Sequence, residues 1–262
     1  MNLKSYLVTH NVKGIKVKYS DDIMKEKICI IQTGRLGDTI IALPIAKYYY
    51  NKGYLVDWVI HEKIKNVFDY IDYVNDVIVV PNEVDIINSI PVAYSLIDIT
   101  KYQSVIDLSI GFPGSMVYKY TDPNFLETFV HVKYYLANVD ISEKWNFYFT
   151  RKEERENALY DKFIERDYIL IHNSISDNNN PQFSVESDYQ KVYFEKVDEY
   201  EIFDWYKIIL NAKEVYCIDS SLCNFIDVVS DFSNVKKFFC GIRTDNTTKW
   251  LQPPLKNWIE YK

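Results

Sequence analysis

The 262-residue sequence has 37 Asp and Glu against 30 Lys and Arg, a formal net charge of −7 and 48% hydrophobic residues. That is ample apolar material for one large α/β core or two small ones, which excludes a disordered chain, and an acidic balance disfavours a nucleic-acid binder, whose surface must neutralise phosphates. Four cysteines without a CxxC pair read as reduced core residues and not as zinc ligands, and no run of 18 apolar residues predicts a membrane-spanning helix.

Residues 1–26 form an N-terminal extension in which Ser5 to Thr9 and Gly14 to Tyr19 alternate with strand period around an Asn-Val-Lys-Gly turn, predicting a β-hairpin. There is no apolar signal region here. The expected location is the cytoplasm, with at most peripheral contact at the inner membrane face.

The organising stretch follows, from Lys27 to Pro44, KICIIQTGRLGDTIIALP. Ile28 to Ile31 is the continuous apolar run of a strand covered on both faces. Gly34 and Gly37 bracket a tight turn, and Asp38 opens a helix from Thr39 to Tyr50. A strand, a glycine turn and a helix start place a reactive side chain at the carboxyl rim of a parallel sheet, where open α/β folds bind ligands. Asp is also a favoured N-cap, so capping alone is the competing role for Asp38. The turn lacks the three-glycine dinucleotide spacing, and no Gly-Lys-Ser/Thr makes it a P-loop.

Beyond Gly53, a natural helix stop, strands are predicted at Leu55 to Ile60, Val77 to Val80 and Ser104 to Ile110, with a short helix at Glu62 to Ile71. Pro91 rules out a long helix between residues 84 and 100. The strand from Ser104 runs into Gly111-Phe112-Pro113-Gly114, a second loop at the same sheet edge, and Asn124 to Val139 is helical. A polar and aromatic stretch from Asp140 to Arg155 holds the expected boundary between residues 27–150 and 151–262.

The second half repeats the pattern. A helix at Asn157 to Arg166 precedes the strand Tyr168 to His172, which empties into a loop of small polar residues, Asn173 to Pro181. Val192 to Val197, Glu214 to Ile218 and Lys236 to Cys240 read as strands, a helix runs through Ile202 to Ile209, Asp219-Ser220-Ser221 caps another, and Lys256 to Tyr261 reads as a terminal helix or tail. Strands alternating with helices at these lengths build doubly wound parallel sheets, here two α/β units in tandem. The four histidines show no ligand spacing and read as structural.

Several of these stretches together resemble the heptosyltransferase-like glycosyltransferases, which have the GT-B architecture of two Rossmann-like domains facing a cleft. Ile28 to Pro44 is similar to that family's first strand, Leu-Gly-Asp turn and Leu-Pro helix. Asp57-Trp58-Val59, Tyr102 to Leu108 (YQSVIDL), His131 to Val139 (HVKYYLANV) and Ala212 to Asn224 (AKEVYCIDSSLCN) resemble later motifs in the right order.

The resemblance implies an inverting, metal-independent transfer of a sugar from a nucleotide-diphosphate donor to a hydroxyl of a glycan or lipid-linked acceptor, with no cofactor beyond the donor. It makes Asp38 the general base, places Gly34, Arg35, Gly37 and Gly111 around the reacting centre, and gives the donor to Ser174, Ser176, Asp219, Ser220, Ser221, Leu222 and Asn224. The chain departs from the pattern at three points. Ser221 stands for a glycine, Asn224 for a histidine, and the loop from Ser174 to Asn180 lacks the family's phosphate-neutralising lysine. Only 19 residues separate His172 from Val192, so a strand and helix are trimmed from the second domain. Lys191, Lys196, Arg243 and Lys249 are candidate replacements for the missing charge. Two alternatives remain at this level: a lapsed GT-B module that binds a nucleotide or glycan or scaffolds a partner, and glycosylation of a modified nucleic-acid base.

Overall fold

The structure, a computed structural model, describes residues 26–85, 88–109, 129–174, 183–241 and 255–261. The expected hairpin and the site candidates Gly111, Ser176, Arg243 and Lys249 lie outside them.

In the first half, β1 (Lys27–Ile31), β2 (Leu55–His61), β3 (Asp76–Val80) and β4 (Ser104–Asp107) make a parallel sheet in the order β3-β2-β1-β4. The apolar run of β1 is central and covered on both faces. Ile28 and Ile30 face the main core, while Cys29 and Ile31 pack with Val59, Val80 and Ala93 on the other side. Its helices are α1 (Leu36–Asn51), α2 (Ser89–Ser95) and α3 (Phe129–Leu136). Pro91 lies in the first turn of α2, where its missing N–H has no carbonyl to serve.

In the second half, β5 (Tyr168–His172), β6 (Gln190–Tyr193), β7 (Val215–Cys217), β8 (Lys237–Phe239) and β9 (Trp258–Glu260) form a second parallel sheet, ordered β6-β5-β7-β8-β9. It carries α4 (Glu153–Phe163), α5 (Tyr206–Asn211) and α6 (Ser221–Val228). Both sheets obey one rule of winding: the first strand has its successor on one flank, and a later strand returns to the other. The order therefore reverses between β1 and β4 and between β5 and β7, and a crevice opens at each reversal.

Four expectations change. Helix α1 starts at Leu36, three residues early, with Arg35 as N-cap, so Asp38 lies inside the first turn and capping is not its role. Residues 62–70 wind as a 3₁₀ helix, begun by His61, whose Nδ1 accepts from the Lys63 N–H at 3.2 Å. The strand from Ser104 ends at Asp107, where the carboxylate takes the Ser109 N–H and turns the chain. The C-terminal stretch is a strand, because Trp258 and Ile259 pair with Lys237 and Phe238 and extend the second sheet.

One apolar cluster joins the halves. Phe203 has its ring centroid 5.0 Å from Tyr70, 4.9 Å from Phe149 and 5.2 Å from Phe225, so first-half, connecting and second-half segments share a core. Beside it the buried Asp204 accepts from Tyr70 Oη at 2.7 Å and pairs with Arg155 at 2.9 Å, which satisfies a carboxylate that burial alone would penalise.

Candidate active site

The first rim is built where β1 passes into α1. Gln32 and Thr33 are fully buried, and Thr33 Oγ1 lies 2.5 Å from Ser89 Oγ. Gly34 packs closely in this turn: a Cβ there would stand 2.6 Å from Gln32 Nε2 and 3.3 Å from the Asp38 side chain, so these side chains would have to shift. Arg35 projects into solvent. The Asp38 carboxylate is 27% exposed, with Lys133 Nζ 3.7 Å from its Oδ1.

Lys133, on α3, is fully buried and donates to Gln32 Oε1 and to the Leu108 carbonyl, each at 2.5 Å. Burial pulls its proton affinity below the ordinary lysine range, and the nearby carboxylates of Asp38 and Asp107 pull the other way. Sequence reasoning passed over this residue. The available signal was its place on the stripe Val130, Lys133, Tyr134 and Ala137, whose other members are all core residues at helical spacing.

The second rim lies where β5 and β7 end. Ser220 is the N-cap of α6, accepting from the Cys223 N–H at 3.2 Å, and its hydroxyl also lies 2.9 Å from His172 Nδ1. Asp219 donates its N–H to the Gly241 carbonyl, and Ser174, two residues past β5, is half-buried. Leu222 is fully buried, so its side chain belongs to the core and only its backbone can serve a ligand. Asn224 is 6% exposed, and its Oδ1 has no hydrogen-bond partner among the described residues.

The two rims meet. A Cβ on Gly37 would lie 3.1 Å from Asn224 Nδ2 and 3.5 Å from Ser221 Cα, so the first turn of α1 rests on the first turn of α6. Both helices direct the positive ends of their dipoles into this region. Beside the contact a hollow of about 600 Å³ opens, bounded by Leu36 of α1 and Ser221 of α6 and continuing past Lys63, Tyr70, Arg155 and Lys196. Its size suits a small-molecule ligand. Of the cations considered for the missing lysine, Lys196 lines this hollow and Lys191 does not. Asp38 lies two residues beyond Leu36, roughly 200° around the helix, and its carboxylate is on the Gly34 and Lys133 side, away from the hollow.

Gly37→Val is expected to force α1 and α6 apart. The anticipated cost is about 1 to 3 kcal/mol of stability, as for overpacking in general, read from urea unfolding. A variant as stable as the parent would show that this contact is not tight.

Three solved structures share the architecture. The glycosyl transferase family 9 protein from Veillonella parvula DSM 2008 aligns with a TM-score of 0.57 at 12% identity, over 90% of this chain and 86% of that one. E. coli ADP-heptose lps heptosyltransferase II gives 0.57 at 13% identity, over 90% of each chain. E. coli heptosyltransferase WaaC with ADP-2-deoxy-2-fluoro heptose gives 0.50 at 12% identity, over 90% of this chain and 93% of that one. No protein-family model and no curated protein sequence matches the chain. The GT-B-like fold expected from the sequence is the fold observed, and the likeness to heptosyltransferases read from its motifs is borne out at the level of architecture.

Proposed function

We propose that this chain is an inverting glycosyltransferase that moves a sugar from a nucleotide-diphosphate donor to a hydroxyl of a glycan or lipid-linked acceptor, with no metal. The observation that supports the reading is the contact of Gly37 with Ser221 and Asn224, which sets the starts of α1 and α6 against each other beside a ligand-sized hollow, with the Asp38 carboxylate on the Gly34 side of that contact. The solved structures with this architecture are glycosyltransferases by name, and one was solved with an ADP-sugar analogue.

In this reading the donor's diphosphate lies at the start of α6, on the backbone N–H groups around Ser221 and Leu222, with Ser174 adding a hydroxyl. Lys196 supplies part of the charge that a loop lysine would otherwise provide. The acceptor oxygen attacks the anomeric carbon as the bond from that carbon to the diphosphate breaks. The bonding pair leaves with the nucleoside diphosphate, and the acceptor's proton passes to the Asp38 carboxylate. One displacement from the opposite face inverts the centre. A carboxylate in the first turn of a helix is a weak base, which suits a transition state with much cationic character on the sugar and late proton removal.

A panel of ADP-, UDP-, GDP- and dTDP-sugars tests this by thermal shift and then by release of nucleotide. One member is expected to raise Tm and to be hydrolysed slowly. Stabilisation without release would identify a binding module that has lost turnover, and a panel with no stabilising member would overturn the transferase reading.

A further inference from the structure

Burying an ammonium in an apolar helix stripe is expensive unless oxygens surround it. Around Lys133 those oxygens come from three different elements. Gln32 Oε1 belongs to the end of β1, the Leu108 carbonyl to the end of β4, and Asp38 Oδ1 to the first turn of α1. One side chain on α3 thus gathers the rim of the first sheet at its switch point.

The ammonium can only donate, so it selects which end of the Gln32 amide faces it. With Oε1 taken, Gln32 Nε2 points to the turn, 2.6 Å from where a Gly34 Cβ would be, and among the described residues it has no hydrogen-bond partner although Gln32 is fully buried. A native protein rarely leaves such a donor idle.

We propose that Lys133 is a positioning residue for the transfer reaction: its ammonium steadies the Asp38 carboxylate and orients the Gln32 amide so that an N–H faces the space beside Gly34. This rests on the transferase reading above and adds to it the group that aims the base. Lys133 acts through Asp38 and Gln32, because it is fully enclosed and does not line the hollow.

The test measures hydrolysis of ADP-heptose and of UDP-glucose by the full chain. Lys133→Met is expected to lower kcat roughly 10²-fold, the order of loss for a misplaced catalytic group, with KM for the nucleotide sugar unchanged. In an Asp38→Asn background the same substitution should cost much less, since one of the two groups it serves is gone. Gln32→Glu, equal in size, draws the ammonium toward a new carboxylate and should give the same kcat loss should Lys133→Met fail to fold. Equal losses in both backgrounds, a change confined to KM, or no loss at all would overturn the positioning role while leaving the transferase reading standing. A parent chain that releases nucleotide from neither of these sugars nor from any GDP- or dTDP-sugar would bring down this inference, and one that none of them stabilises would bring down the transferase reading as well.

Discussion

Asp38→Asn is expected to reduce nucleotide-sugar turnover by about 10² to 10⁴-fold, the range for losing a positioned general base, while donor affinity stays within twofold or so of the parent. The two effects separate because of where the side chain lies. The carboxylate sits at Gly34 and Lys133, away from the hollow that Leu36 and Ser221 bound. Asparagine keeps the shape and an oxygen for Lys133, but it cannot take a proton near neutral pH. Kinetics beside calorimetric titration with the same nucleotide sugar decide the matter. Full turnover in the variant would remove Asp38 from the chemistry, and lost donor binding would make it part of the donor site.

Asp227→Ala is expected to cost about 3 to 5 kcal/mol, as when one member of a buried ion pair is removed. Asp227 accepts from Lys144 Nζ at 2.7 Å, Trp145 Nε1 at 3.1 Å, the Lys256 N–H at 2.7 Å and Trp258 Nε1 at 3.0 Å. It therefore ties α6 to the segment crossing between the halves and to the start of β9. Neither side chain of the Lys144–Asp227 pair is exposed, so alanine would take the neutralising carboxylate from a buried ammonium. The exposed pair Lys101–Asp98 offers the contrast, because water already solvates both ends and its loss should hardly register. Urea unfolding with a shared m-value measures the cost. Because α6 begins at Ser221, the loss should also weaken nucleotide-sugar binding, and a variant as stable as the parent would refute the account.

Much of the fold was legible because it is written in local periodicity. The run Ile28 to Ile31 specifies a strand buried on both faces, and Tyr168 to His172 specifies its counterpart. Gly53, at φ +92°, stops α1 where a left-handed residue is needed. Serine at position 220 caps α6. Element ends were less legible, since Asp38 is as good an N-cap as it is a first-turn residue, and only the hydrogen-bonding of the chain from Leu36 settles which it is. Trp258 and Ile259 were unreadable as a strand because a three-residue element has no period of its own; it exists because β8 offers an open edge.

The sequence by itself determined the alternation of strands and helices up to β8, the glycine turn with its acid, and the serine cap of α6, because each depends on neighbours a few residues apart. What only the tertiary structure decided is which of these meet. The seat of Gly37 against Ser221, the burial of Lys133 beneath Asp38, and the choice of Lys196 over Lys191 at the hollow all join residues far apart in the chain. Such meetings are set by how two twisted sheets share one core, and no spacing along the sequence encodes that.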